Sequence, residues 1–337
     1  MPKSGSRITL AQLAAEAGVS IATASKVING RADVSPATRA RIEALVERHG
    51  YRPRSTARPR TELIELVFYE LQSAWSVEVI NGVEEVAAAA GLSVALTKSG
   101  NRHAPDDSWL EGVIRRNPVG VVLIFSELPE PMRAALAARS IPFVIIDPAG
   151  DPPPDTPSVT SANWSGGVTA TRHLINLGHE RIAAITGPED MMASLARIDG
   201  YRSAMNAAGL EIPPGYVRFG NFHVDGGAQH AAELLALPQP PTAIFAGSDL
   251  QAFGVYDAAR LRGIRIPEDL SVVGYDDIRV TEWVSPRLTT VHQPLGDMAR
   301  EAARLVLRLA EGPVVPTPHI ELSTRLVVRE STAPPKR

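Results

Sequence analysis

Thr9-Leu10-Ala11-Gln12-Leu13-Ala14-Ala15-Glu16-Ala17-Gly18-Val19-Ser20-Ile21-Ala22-Thr23-Ala24-Ser25-Lys26-Val27-Ile28-Asn29-Gly30 spells two short helices and the turn between them. Thr9 and Gln12 have capping-box spacing, with the threonine accepting from the third amide and the glutamine reaching back. Leu10, Leu13, Ala14 and Ala17 recur at helical intervals. Gly18 supplies a left-handed stop, and Val19 a core plug in the turn. Ser20 caps a second helix from Ile21 to about Ile28. Ser35-Pro36 opens a third helix, a capping residue followed by proline at the first helical position. Its apolar face is Ile42, Leu45 and Val46, and Gly50 ends it. Two helices on a glycine-containing turn, closed by a third, make a helix-turn-helix unit.

Charge is distributed to match. Residues 1–60 carry eleven basic and four acidic side chains, a net +7, while the remaining 277 carry 23 basic and 33 acidic, a net −10. In a helix-turn-helix the second helix lies in the DNA major groove and its first residues meet base edges. Ile21, Ala22, Ser25 and Lys26 hold those positions. Lys26 suits guanine O6/N7, and Ile21 and Ala22 suit thymine methyls. Thr9, Ser20, Thr23 and Asn29 are placed to hold phosphates. The plainer alternative is a three-helix structural cap with a solvated positive face.

Length and composition bound the rest. At 337 residues the chain fits two or three domains, and 44% hydrophobic content excludes wholesale disorder. Zero cysteine removes disulfides, thiolate zinc sites and cysteine nucleophiles. No apolar run approaches the roughly 18 residues of a membrane span, and the N-terminus has no secretory apolar region, so a cytoplasmic location is expected.

Beyond Thr61 apolar runs alternate with helical patterns. Strands are expected at Leu63–Tyr69, Leu92–Thr97, Val119–Phe125, Phe143–Asp147, Arg181–Thr186, Thr242–Ala246 and Leu270–Gly274. Helices are expected at Val77–Ala90, Asp106–Arg116, Glu130–Arg139, Gly166–Leu177, Ala193–Ala208, Gly226–Leu235, Leu250–Arg262 and Gly296–Ala310. Such alternation predicts an α/β body of parallel sheets covered by helices. Asp151-Pro152-Pro153-Pro154 marks a surface break. The expected organisation is a head (1–50), a linker (51–61) and a two-lobed body (62–337), with lobes near 62–160 and 161–290 and C-terminal crossovers. Ligands of parallel sheets bind beyond the strands' carboxyl ends, which here face an inter-lobe cleft. Ser126, Asp147, Ser248-Asp249 and Asp276-Asp277 stand at those ends. Each alone is more often a helix cap or turn residue than a ligand contact, and Ser248-Asp249 in particular suits a cap; their repetition at strand ends favours a polar cleft.

Ile8 through Gly30, Val34-Ser35-Pro36-Ala37-Thr38-Arg39-Ala40-Arg41 and Gly50-Tyr51-Arg52-Pro53 closely resemble the DNA-binding head of the lactose-repressor/galactose-repressor family of bacterial transcription regulators. Gly82-Val83-Glu84, Arg197 followed by Gly200-Tyr201, Ile266 through Asp277 and Pro286-Arg287-Leu288-Thr289-Thr290-Val291 resemble its sensor domain, a two-lobed fold like that of periplasmic binding proteins. The resemblance spans roughly residues 7–330. It implies an operator-binding dimer, most often a repressor, controlled by a small effector. It places Arg197, Ser248, Asp276 and Phe222 against that effector, with Trp75, Asp147, Asn163, Trp283 and Gln293 as neighbours. Aspartate, asparagine and arginine beside aromatic faces suit a sugar, although a nucleobase also favours aromatics and Trp283 serves equally as a rim-packing residue. The resemblance gives the lobe helix starting at Val77, Val79, Ile80 and Val83 a dimerising role, with core packing the alternative. In the family the linker folds on DNA and wedges a leucine into the minor groove. Here Pro59 follows Ala57-Arg58, and Arg60 stands where that leucine is expected. Arg58 and Arg60 are therefore expected to track the minor groove by charge and shape.

Two other classes fit less well. A transporter's solute-binding protein shares the two-lobed body but not the basic head. An enzyme is disfavoured: nucleotide-loop and nucleophile-elbow motifs and metal-ligand spacings are lacking, and the adjacent Asp276 and Asp277 point apart. No cofactor is expected.

Overall fold

The computed structural model describes residues 9–28, 34–49, 60–69, 71, 74–100, 107–124, 127–150, 152–312 and 317–336. The chain forms two compact units that divide between residues 59 and 60.

The first unit contains α1 (Leu10–Glu16), α2 (Ile21–Ile28) and α3 (Pro36–His49). The capping box forms as spaced: the Gln12 amide donates to Thr9 Oγ1 at 3.3 Å, and the Thr9 amide donates to Gln12 Oε1 at 2.8 Å. Gly18 turns the chain at φ +63°, a conformation that costs glycine nothing. Ser20 and Ser35 accept from the amides three residues on, capping α2 and α3. Leu13, Ala17, Val27, Ile42 and Leu45 bury a small core, with Val19, Val34 and Val46 packed on it.

The second unit is two lobes. In the first, β1 (Leu63–Phe68), α4 (Ala74–Ala89), β2 (Ser93–Lys98), α5 (Asp107–Arg116), β3 (Gly120–Ile124), α6 (Glu130–Ala137), β4 (Phe143–Ile146) and β5 (Ser158–Ser161) follow in turn. The second holds α7 (Asn163–Asn176), β6 (Ile182–Thr186), α8 (Met192–Ala207), β7 (Val217–Phe219), α9 (Val224–Leu235), β8 (Ala243–Ala246), α10 (Asp249–Leu261), β9 (Ser271–Asp276), a 3-10 turn (Arg279–Glu282) and β10 (Thr289–His292). α11 (Leu295–Glu311) and β11 (His319–Leu322) return to the first lobe, and β12 (Arg325–Val327) to the second. The sheets run β11-β5-β4-β3-β1-β2 and β12-β10-β9-β8-β6-β7. All pairings are parallel except β10 with β12.

Alternation along the strands fills both faces of each sheet. Ile64, Leu66 and Phe68 join α4 and α11 on one side, while Val67 joins α5 and α6 on the other. Each fully buried side chain of this kind contributes roughly 1.5–3 kcal/mol. On α4, Val79 and Val83 are wholly buried against Met298 and Ala299, and Ile80 packs on the same core. Gly82 permits the close approach, since a Cβ there would lie 2.6 Å from the Gly296 carbonyl oxygen. Core packing thus accounts for three of the four apolar residues given a dimerising role; Val77 alone is exposed, at 53%. The proline-rich break falls between β4 and β5, inside the first lobe, and the lobes part at residues 161–163.

Candidate functional site

On the head, Ala24 and Val27 point α2 into the core and leave the opposite face outward. Ile21 is 54% exposed, and Ala22 and Lys26 are exposed beside the half-buried Ser25. Thr9 and Ser20 serve as caps, and the Thr23 hydroxyl lies 2.8 Å from Ser20 Oγ. The exposed face is small and apolar at its start and cationic one turn on. Asn29 and Arg58 lie outside the described residues. Arg60 belongs to the body, where its guanidinium donates to the carbonyls of Ala310 and Ser140 at 2.9 and 2.8 Å. The expectation that Arg60 tracks the minor groove meets a guanidinium already engaged by the protein.

In the body, the strand ends of both lobes converge on Arg197. α8 carries this side chain inward to 3% exposure. Its Nε donates to Asn163 Oδ1 at 2.8 Å, Nη1 to the Gly247 carbonyl at 2.5 Å and Nη2 to Gln293 Oε1 at 3.2 Å. Gln293 in turn donates from Nε2 to Asp147 Oδ2 at 3.0 Å. Asn163 and Gln293 stand on the crossovers between lobes, and Asp147 follows β4. One polar chain therefore spans the cleft: Arg197 in the second lobe, Gln293 at the hinge, Asp147 in the first. Asp147 Oδ1 is buried without a hydrogen bond. The Tyr275 ring lies under the guanidinium at 3.7 Å and the Phe222 ring at 5.4 Å, distances typical of cation–π contact.

Carboxylates outnumber this one cation. Asp276 Oδ1 sits 3.9 Å from Arg197 Nη1. Burial pushes Asp276 up to about 7, against the pull of Arg197. Burial likewise pushes Asp147 up to about 6, again opposed by Arg197. Asp249 stands well above the carboxylate range through burial and the neighbouring Asp276. For Asp277, burial acts upward, but hydrogen bonds from His292 and Arg329 outweigh it and hold the group low. Asp276 and Asp277 do point apart, one to Arg197 and the other to His292 and Arg329.

Not every expected residue joins the network. Ser248 caps α10 and donates to the Phe222 carbonyl at 2.8 Å. Asp249 accepts from Thr290 Oγ1 at 2.5 Å and from the Ile278 amide at 2.9 Å, pinning the loop after β9. Trp75 is 9% exposed within the first lobe's core. Trp283 is 74% exposed at the end of the 3-10 turn. Ser126 lies outside the described residues.

Two contributors carry no mark in the sequence pattern. Tyr275 stands there only as one letter of a longer motif, yet it forms the floor under Arg197. Gly187 gives the Phe222 ring its place, because a Cβ there would fall 2.0 Å from the ring. A further signal is backbone strain: Asp147, Phe222, Asp276 and Asp277 have φ of +45°, +65°, +120° and +61°. Such conformations are costly for side chains other than glycine and gather at functional sites. Among the described residues no three His, Asp or Glu side chains gather to hold a metal ion. None of the described helices is long and apolar enough to cross a membrane.

Comparison with known proteins matches residues 9–54 to the family described as bacterial regulatory proteins, lacI family, and residues 171–332 to the periplasmic binding protein-like domain. The HTH-type transcriptional regulator CelR of Thermobifida fusca is 37% identical over 337 residues, covering 96% of this chain and 98% of that one. The ribose operon repressor of Escherichia coli (strain K12) is 33% identical, covering 96% and 99%. Among solved structures, the CelR–cellobiose complex superposes with a TM-score of 0.74 at 35% identity, covering 96% of this chain and all of that one. The lac repressor dimer bound to operator and the anti-inducer ONPF gives 0.71 at 26% identity, covering 97% and 100%.

Proposed function

The chain belongs to the LacI family of bacterial regulatory proteins, and on that premise we propose that it is a cytoplasmic, homodimeric repressor that catalyses no reaction. Its heads read the two half-sites of a near-palindromic operator. A sugar or oligosaccharide in the inter-lobe cleft controls that binding. Ile21, Ala22, Ser25 and Lys26 meet base edges, while hydroxyls at Thr9, Ser20 and Thr23 lie beside phosphates.

The observation that carries the ligand class is Asp147 Oδ1, an acceptor buried without a donor in the network that joins the lobes. Ligand hydroxyls supply donors there and to Asp276, and Arg197 retains N–H groups for ligand oxygens. The ring of Phe222 offers an apolar face to sugar C–H groups. One relative is solved as a complex with cellobiose, a β-linked disaccharide, which makes β-glucosides the first compounds to try.

The test is a thermal-shift panel of cellobiose, longer β-glucosides, ribose, other monosaccharides and nucleosides on the full chain. A sugar at about a hundred times its Kd stabilises the folded state by roughly 2.7 kcal/mol, enough to raise the midpoint several degrees. A response to nucleosides with none to any sugar overturns the ligand class.

A further inference from the structure

We propose that Arg60 is a positioning residue: its guanidinium anchors the root of the DNA-head linker to the first lobe and fixes where the linker leaves the body, without touching DNA. The proposal rests on the regulator reading above.

Three helix ends gather at residues 60 and 61. Arg60 Nη1 donates to the carbonyl of Ala310 in the last turn of α11, and Nη2 to that of Ser140 in the turn that ends α6. Thr61 closes α5 in the same way, its amide donating to Asn117 at 2.9 Å and its hydroxyl to the Arg116 carbonyl at 2.8 Å. The last carbonyls of a helix lack partners within it and lie at the negative end of its dipole. The Ala310 carbonyl is one of these and the Ser140 carbonyl lies just past the end of α6; a planar guanidinium holds both from two nitrogens in a fixed fork, where lysine has a single nitrogen on a flexible stem.

The far end of α11 explains what the clamp accomplishes. α11 begins at Leu295, two residues after Gln293 of the cleft network, and runs 17 residues to Glu311. At 1.5 Å per residue it is a strut of roughly 25 Å, packed along the first lobe's core. One end is tied to the Arg197–Gln293–Asp147 chain and the other holds Arg60. A ligand that shifts the hinge therefore shifts the anchor from which the linker departs. Released from the clamp, the chain at Arg60 gains freedom that DNA binding must remove again.

The alternative is a DNA contact, and lysine separates the two. Lysine keeps the charge a phosphate needs but loses the fork. Wild-type protein, Arg60→Ala and Arg60→Lys, all full length, are titrated across salt with two duplexes: one selected by the wild type from a random pool, and one of random sequence. Arg60 is exposed, so both variants are expected to keep the wild-type melting midpoint. The clamp predicts that both lose roughly 10-fold on the selected duplex, the cost of re-ordering about one backbone residue. Binding to the random duplex and the salt slope stay unchanged. If Arg60→Lys binds as wild type while Arg60→Ala weakens on both duplexes, with a salt slope shallower by about 0.9 per lost contact, Arg60 is a DNA contact and the proposal is wrong. Wild-type binding by both variants overturns it as well. If the wild type enriches no sequence, the regulator reading fails and takes the clamp with it.

Discussion

Replacing Asp276 with asparagine should stabilise the ligand-free protein, and more so as pH rises. The carboxyl is buried, with Arg197 at 3.9 Å as the cation facing it and Asp147 and Asp249 as acidic neighbours. Burial outweighs Arg197 and raises the group to about 7, against an ordinary 3.8. A carboxyl raised on folding binds more protons in the native than in the unfolded state between those values, so its contribution to stability falls as pH rises through that window. Three pH units at 1.36 kcal/mol each amount to roughly 4 kcal/mol lost by pH 8. The amide of the Asp276→Asn variant, which cannot ionise, escapes that loss. At roughly 2 °C per kcal/mol, the lower end for a large domain, the variant should melt near the wild type at pH 4 or below and about 8 °C above it at pH 8. Differential scanning calorimetry of the full chain without sugar reads both values. A variant that melts below the wild type by an amount growing with pH would show that the Arg197–Asp276 pair outweighs burial, and would refute the reasoning.

Four further substitutions, at three residues, probe the two sites. Lys26→Ala should weaken binding to the selected duplex by roughly 1–3 kcal/mol while leaving random DNA nearly unaffected; an equal loss on both would make Lys26 a phosphate contact. Arg197→Leu leaves Asn163 Oδ1, Gly247 O and Gln293 Oε1 unanswered, at roughly 1–3 kcal/mol each, so it should melt far below the wild type. The functional variant is instead Arg197→Lys, which should stay folded without responding to sugar; a normal thermal-shift dose response would remove Arg197 from the site. Gly187→Ala should displace the Phe222 ring, a Cβ lying 2.0 Å from it, and weaken sugar binding measured by calorimetry; unchanged affinity would separate Phe222 from the ligand.

The head was legible almost whole because its signals are local. A capping box, a glycine stop and two serine caps set three helices within one residue or two of their observed ends. Long apolar strands and amphipathic helices of the body were equally readable. Ser158–Ser161, Val217–Phe219, Thr289–His292, His319–Leu322 and Arg325–Val327 were not expected as strands. They are three or four residues long, too short to show a period, and they are extended because a neighbouring strand pairs with them. At the cleft, Asp147, Asn163, Arg197, Asp276 and Gln293 come together from separate stretches of chain. Tyr275 and Gly187 escaped notice because their roles arise from stacking and close approach, which leave no spacing in a sequence. Trp75, at a strand-to-helix junction, packs into the first lobe's core. Arg60 is the sharpest instance, since a basic residue in a basic linker carries no mark that its partners are backbone carbonyls 80 and 250 residues away.

The central claim is that cleft and operator are coupled through one folded body, and coupling between two binding sites is reciprocal. The direct measurement is operator affinity with and without the sugar found in the thermal-shift panel, alongside sugar affinity with and without operator. The same factor is expected in both directions, in the range of about 5- to 150-fold. Operator affinity that is indifferent to a saturating sugar contradicts it.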